Sequence, residues 1–205
     1  ATSWTVSPDN LVWTFNLRKD AIWADGKPVV AENYRYGISR TIDPKVGSNY
    51  AFFLYPIKGA KDFNSGSGTI DDLGIKALND HTLEITLENP TPHFIQLAYS
   101  KVMYPQREDI VNKFGESYGS EQDHVISNGP YLLKEWIHSN KVVFEKNPTY
   151  WDKKNHKLNI STQNLNGEFI PAEGTIKIYK LLAPNRVLRS RPWNAPDYQD
   201  ISESE

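Results

Sequence analysis

The chain has 205 residues, of which 39% are hydrophobic, 12% aromatic and 23% charged, a composition typical of globular proteins and not of disordered or fibrous ones. Its 23 Lys and Arg residues against 25 Asp and Glu give a formal charge of -2. Such a charge produces too weak a field to gather phosphate backbones or anionic lipids, so nucleic acid is excluded as an expected partner. The absence of cysteine excludes disulfides, thiolate metal sites and cysteine nucleophiles.

The N-terminal sequence ATSWTVSPDN has neither the basic region nor the apolar region of an export signal. No run of the sequence approaches the roughly 18 apolar residues that a membrane span requires. We therefore expect the chain to begin after any export signal, or part-way through a longer protein.

The first half of the sequence predicts one strand, one helix and one hairpin. Residues Leu11 to Leu17 place four apolar side chains at alternate positions on one face and Val12, Thr14 and Asn16 on the other, which is typical of a half-buried strand. A helix is predicted from about Ala31 to Thr41, ended by Asp43-Pro44. The runs LGIKALN and TLEITLE, joined by Asp80-His81, predict a hairpin.

Helices and strands also alternate in the second half. HFIQLAYS predicts a short helix, and REDIVNKFG predicts a second one that ends at Gly115. YLLKEWI and KVVFEKN flank residues 138–140 as a second hairpin. Helices interleaved with antiparallel pairs indicate an α/β fold class, of mixed α+β architecture.

From about Asn159 the sequence changes in character. Prolines punctuate it, a single strand is indicated by TIKIYKL, and it ends in the acidic run DYQDISESE. We expect residues 159–205 to form a loosely held tail.

GESYG, from Gly115 to Gly119, matches the G-x-S-x-G pattern in which Ser117 would be a hydrolase nucleophile. That motif requires a buried apolar strand directly before the serine, whereas a charged helical segment precedes it here. We expect no catalytic residue, and we interpret Ser117 as structural.

The other titratable residues do not form a recognisable site. Asp71-Asp72 falls in a polar loop, and Glu84 and Glu88 fall on the exposed side of a strand, so we expect solvated charges. The histidines are scattered without the spacing that would place two on one face of an element. No metal and no cofactor are therefore expected. The histidines are His81, His93, His124, His138 and His156.

An aromatic cluster remains in the phrase SNYAFFLYP, which contains Tyr50, Phe52, Phe53 and Tyr55. At least one of these rings could line a cleft and stack on a ligand. We expect most of the four to belong to the core.

Five long phrases follow one another through the chain with consistent spacing. They are SWTVSPDNLVWTFNLRKDAIWADGKPVVAENYRYGISR, DPKVGSNYAFFLYPIKGA, DLGIKALNDHTLEITLENPTPHF, KFGESYG and SNGPYLLKEWIHSNKVVFEKNPTYWD. Together they resemble the oligopeptide-binding proteins of ABC importers, in the extracellular solute-binding protein family 5. The resemblance covers roughly Ser3 to Leu158, and the sequence after Leu158 does not resemble the family.

The resemblance implies a two-lobed clamp of the type II periplasmic-binding-protein-like fold, of which this chain would be only a part. Residues 1–105 would be the small extra domain and residues 106–158 part of the first lobe. The whole binding site would therefore not be present. The tyrosine of the family's S-x-Y-A phrase, a ligand contact, corresponds to Tyr50. Val30 stands where the family usually has Thr, which removes a helix cap worth about 1 kcal/mol.

The resemblance further implies an extracytoplasmic protein, in the periplasm or on the outer face of the cell membrane, that binds oligopeptides without catalysis. Its partners would be the peptides and the membrane subunits of an ABC transporter. Any membrane attachment would be through a lipid anchor that is not present in this chain. Two alternatives remain open: a truncated surface protein used for adhesion or for signalling peptides, and a serine hydrolase that depends on GESYG.

Overall fold

A four-stranded antiparallel sheet forms the centre of the computed structural model, which describes residues 1–152. The strands lie in the order β1-β2-β4-β3. Their bounds are Ser3–Val6 for β1, Val12–Asn16 for β2, Ile75–Asn79 for β3 and Thr82–Thr86 for β4. Four helices accompany the strands: Ala31–Ile42 (α1), Ala60–Ser65 (α2), Phe94–Leu97 (α3) and Glu108–Phe114 (α4).

The apolar alternation of β2 explains both its pairing and its buried face. Trp13 lies opposite Ile85 and Phe15 lies opposite Leu83 in the antiparallel register. Residues two apart on a strand point to the same side of the sheet, so these four side chains form one apolar face. All four are buried. This face and the inner side of α1 form the hydrophobic core, to which α1 contributes Ala31, Ile38 and Ile42.

Helix α1 also lies directly against the segment that precedes α4. A Cβ atom on Gly37 would lie 2.5 Å from the main-chain oxygen of Tyr104, so a side chain there would push the two segments apart. The Gln106 amide donates to the Asn33 carbonyl at 2.9 Å. The chain from Lys101 to Gln106 is thereby held along the helix.

The predicted strand, helices and hairpins are confirmed, with shorter bounds at several ends. The second hairpin consists of β5, Tyr131–Ile137, and β6, Lys141–Lys146, and it forms a separate two-stranded sheet. Strand β1 was not predicted, because it is only four residues long. Residues 1–152 fall within one structural unit, Ala1–Leu158. The predicted boundary near residue 105 stays a prediction, and the predicted tail and TIKIYKL strand lie outside the described residues.

A buried arginine connects an early turn to α4. The Arg107 guanidinium donates to both oxygens of Asp25, at 3.1 and 2.9 Å, and to both oxygens of Asp109, at 2.7 and 2.6 Å. Lys27 Nζ lies 3.2 Å from the Asp109 carboxylate. The charge-assisted bonds between Asp25 and Arg107 join two residues that are 82 positions apart in the sequence.

The start of α1 has an incomplete cap. Val30 occupies the N-cap position with an extended backbone, and no side chain there accepts a bond from the first helical amides. Asn33 Oδ1 accepts a bond from the Val30 amide at 3.1 Å, which supplies only one half of a capping box. The expected loss of the cap at Val30 is therefore observed.

Val30→Thr should raise the free energy of unfolding by about 0.5–1 kcal/mol, because threonine keeps the branched shape and adds a hydroxyl acceptor. Urea denaturation followed by tryptophan fluorescence measures the change. Val30→Ala, which has no hydroxyl, is the control and should give no gain. Equal stability of the Thr variant and the parent would contradict this account of the cap.

Candidate functional site

Three aromatic side chains form an exposed cluster at one surface of the described residues. Tyr50, Phe52 and Phe53 are 49%, 55% and 40% exposed. The Phe52 and Phe53 ring centroids are 4.2 Å apart, and the Tyr50 and Phe53 rings are stacked with their centroids 6.3 Å apart. We refer to these three residues as the aromatic patch. Large contiguous apolar surfaces of this kind commonly mark sites of interaction.

The backbone conformation explains why these rings point outward. Ala51–Leu54 is a 3₁₀ turn, in which residues three apart lie on the same side. Ala51 and Leu54 are buried, so the two phenylalanines between them are directed toward solvent. Tyr50 and Phe53 are also three apart, which accounts for the stacking of their rings.

The ends of the turn are fixed by side-chain hydrogen bonds. Before it, Ser48 Oγ accepts a bond from the Tyr50 amide at 3.3 Å. After it, the Tyr55 hydroxyl donates to Asn64 Oδ1 at 2.7 Å, and Asn64 Nδ2 donates to the Ile42 carbonyl at the end of α1 at 2.6 Å. The turn is therefore linked to the end of α1 through Tyr55 and Asn64, whereas the bond from the Tyr50 amide to Ser48 is local to the segment before the turn.

A lysine completes this surface. Lys101 begins a second 3₁₀ turn, Lys101–Met103, whose Val102 and Met103 are buried. Lys101 Nζ lies 5.0 Å from the centroid of the Tyr50 ring. This distance is within the range of a cation–π contact, so one positive charge stands at the edge of the aromatic patch.

The expectation that most of the four aromatic residues belong to the core is wrong. Only Tyr55 is half-buried with a structural hydrogen bond, whereas the patch is exposed. The apolar residues at a spacing of three, Ala51, Leu54 and Ile57, are the buried ones. That spacing is the signal in the sequence that could have identified the turn. No comparable signal indicated Lys101.

Ser117 does not occupy a nucleophile elbow. It lies in the 3₁₀ turn Gly115–Ser117 directly after α4, and its hydroxyl donates to the Phe114 carbonyl at 2.8 Å. The ring of His124 approaches the main-chain oxygen of Ser117, at 2.9 Å from Nδ1. The serine hydroxyl therefore closes a helix end, which agrees with its interpretation as structural.

Two of the carboxylates named above, Asp72 and Glu84, have structural surroundings unlike those of an acid/base pair. The Thr69 hydroxyl and amide both donate to Asp72 Oδ2, at 2.7 and 2.8 Å, and these bonds lower the pKa of Asp72 below its ordinary value. Glu84 lies opposite Lys76 and Thr14 in the sheet.

Within residues 1–152, no group of three or more His, Cys, Asp or Glu side chains is arranged to hold a metal ion. In the same residues, every helix is too short or too polar to cross a bilayer.

Comparison with curated proteins identifies relatives over most of the chain. It is 40% identical over 161 residues to the periplasmic oligopeptide-binding protein OppA of Escherichia coli, an alignment that covers 78% of this chain and 29% of the relative. It is also 40% identical over 158 residues to the dipeptide-binding protein DppE of Bacillus subtilis, covering 77% of this chain and 29% of DppE. The chain thus spans less than a third of the length of these relatives.

Solved structures give the same result for the fold. The substrate-binding domain of an oligopeptide ABC transporter from Bacillus anthracis superposes with a TM-score of 0.73 at 42% identity, covering 75% of this chain and 30% of that one. Listeria monocytogenes OppA bound to peptide superposes with a TM-score of 0.72 at 38% identity, with the same coverage. The expected mixed α/β fold is confirmed, and it is similar to part of these solved peptide-binding proteins.

A family model provides the third comparison. The model for bacterial extracellular solute-binding proteins, family 5 Middle, matches residues 1–162. This range includes the whole central sheet, the aromatic patch and the second hairpin. The chain belongs to the bacterial extracellular solute-binding proteins of family 5.

Proposed function

We propose that this chain is part of an extracytoplasmic solute-binding protein that binds oligopeptides for uptake by an ABC importer, without catalysis. The observation that carries the proposal is the exposed aromatic patch, built on a rigid turn in a chain whose relatives are named for oligopeptide and dipeptide binding. Tyr50 is its proposed ligand contact. The proposed partners are oligopeptides and the transporter's membrane subunits, and the proposed location is the periplasm or the outer face of the cell membrane.

The chemistry of the patch suits a peptide. Aromatic faces bury apolar side chains and stack on planar amides, and the Tyr50 hydroxyl can donate to or accept from the peptide main chain. The hydrogen bonds around the turn fix the backbone that carries the rings, which limits the conformational entropy lost on binding. Closure of two lobes around the peptide would exclude water and strengthen the main-chain hydrogen bonds.

The domain assignment is part of this proposal. Residues 1–105 would form the small extra domain, which carries the patch, and residues 106–158 would form part of the first lobe. The absence of a catalytic role is supported by the position of Ser117, whose hydroxyl is hydrogen-bonded to the preceding helical turn.

A peptide titration of the 205-residue chain tests the proposal. In the described residues the patch is an open surface, so most peptide amides would stay solvated, and one aromatic contact supplies only about 1–2 kcal/mol. Because millimolar affinity requires about 4 kcal/mol, we expect tri- to pentapeptides to bind no more tightly than about millimolar. Addition of peptide should change the backbone amide NMR shifts of residues 48–55. In Tyr50→Ala these peptide-induced changes should be smaller.

Two controls make the result interpretable. Ser117→Ala, which lies outside the patch, should bind the peptides like the parent. A poly(ethylene glycol) of similar mass should leave the shifts unchanged. Peptide-induced shifts located away from residues 48–55, or unaffected by Tyr50→Ala, would contradict the assignment of the patch.

A further inference from the structure

We infer that Lys101 determines ligand specificity by selecting peptides with a carboxylate next to an apolar side chain that rests on Phe52 and Phe53. This inference depends on the proposed function, because it names the peptide class that the aromatic patch would prefer. Two neighbouring contacts support it. Lys101 Nζ lies 5.0 Å from the centroid of the Tyr50 ring, and the Tyr50 and Phe53 ring centroids are 6.3 Å apart.

The charge of Lys101 is available to a ligand. Within residues 1–152, no carboxylate lies at ion-pair distance from its ammonium group, although other lysines of the same region have such partners, as Lys141 does with Glu135 at 2.7 Å. An ammonium group has three donors, and a cation–π contact with one ring leaves them free to bond an anion. A ligand carboxylate is the complementary group.

The apolar half of the site is the pair Phe52 and Phe53. Their rings are in contact, with centroids 4.2 Å apart, and each retains a large exposed fraction. Burial of that area against an apolar side chain is favourable by about 25 cal/mol per Å². An acid or amide side chain placed there would lose its hydration without a hydrogen-bonding partner among the rings.

Lys101 Nζ and the Phe53 ring lie 5.0 and 6.3 Å from the centroid of the Tyr50 ring, so they are no more than about 11 Å apart. In phenylalanine the carboxylate lies about 5 Å from the centre of the ring, by standard bond lengths. A carboxylate about 3 Å from Nζ and a ligand ring about 5 Å from the Phe53 ring extend this reach to about 13 Å, so a single C-terminal apolar residue can contact both groups. The predicted ligand is a peptide that ends in such a residue with a free carboxylate.

A matched pair of small probes tests this inference on the full 205-residue chain. N-acetylphenylalaninate and N-acetylphenylalanine amide share the ring and differ only in the terminal group, which is a charged carboxylate in one and a neutral amide in the other. Both should shift the amides of residues 50–54, and at low ionic strength the carboxylate should bind about three- to tenfold more tightly. Salt at about 0.5 M should reduce this ratio, because it screens an exposed charge pair.

Lys101→Met should reduce the ratio to about one while leaving the affinity for the amide unchanged. Lys113→Met is the matched control, since Lys113 Nζ also lies over an aromatic ring, 4.7 Å from Phe114, but outside the patch. Phe52→Ser should weaken both probes equally. Well-dispersed amide spectra will establish that each variant is folded.

Equal binding of the two probes by the parent, or a preference that persists in Lys101→Met, would overturn the role of Lys101 while leaving peptide binding by the patch intact. If neither probe nor any peptide shifts residues 48–55, both the inference and the proposed function fail. A preference lost in both lysine variants would indicate a nonspecific effect of charge and would also overturn the inference.

Discussion

Phe94→Ala should lower the free energy of unfolding by about 3–5 kcal/mol, the range for removing a fully buried phenylalanine. The Phe94 side chain is 0% exposed and packs against Trp13, with ring centroids 5.4 Å apart. Phe94 is the one buried residue of α3, which is only four residues long. A single helical turn has little stability of its own, so this fully buried ring, with the partly buried Ile95 and Leu97, attaches α3 to the core.

Urea denaturation monitored by fluorescence and circular dichroism measures the effect. Phe52→Ala is the matched control: the same atoms are removed from an exposed position, and stability should change by no more than about 0.5 kcal/mol. If the two variants lose similar stability, the assignment of Phe94 to the core and Phe52 to the surface is wrong. Because Lys101 follows α3 closely, Phe94→Ala should also weaken the carboxylate preference.

The sheet was predictable because its sequence signal is local. Trp13, Phe15 and Leu17 alternate with polar residues, as do Leu83, Ile85 and Leu87, and the structure buries both sets. Helix α1 was predictable for the same reason, with Ile38 and Ile42 four residues apart on its buried side. Strand β1 alternates polar and apolar residues over only four positions and is mostly exposed, so its signal is weak; its main chain pairs with β2.

The candidate site was predictable only in part. Tyr50 was proposed through the family phrase. The exposure of Phe52 and Phe53 depends on a 3₁₀ turn, and four residues are too few to show its period of three clearly in the sequence. Lys101 approaches Tyr50 only because both turns are fastened to α1. A contact between residues that are distant in sequence is set by tertiary packing, and local patterns do not encode it.

Arg107→Met should destabilise the protein by about 1–3 kcal/mol at pH 7. The Arg107 side chain is 5% exposed, and removing one member of a buried ion pair costs about 3–5 kcal/mol. We expect less here, because Asp25 and Asp109 are 34% and 51% exposed and can be rehydrated. Methionine keeps most of the volume of the arginine, so the loss reports mainly on the charged hydrogen bonds.

The pH dependence separates this effect from packing. Hydrogen bonds from Arg107, followed in importance by that from Lys27, hold the pKa of Asp109 well below its ordinary value. A carboxyl group whose pKa is depressed by folding stabilises the protein above its unfolded pKa of about 3.9, and this contribution is lost as the pH falls toward the folded pKa. The stability difference between the parent and Arg107→Met should therefore be full at pH 6–7 and shrink below about pH 4.

Arg35→Met provides the control for this measurement. Arg35 pairs with Glu32 on the exposed side of α1, and exposed pairs contribute only about 0–1 kcal/mol. Its removal should have a small effect at every pH. If Arg107→Met were as stable as the parent at pH 7, or if the difference stayed constant down to pH 2.5, the network would not hold α4 to the turn at Asp25. That attachment would then depend on apolar contacts such as those of Val111, which is buried in α4.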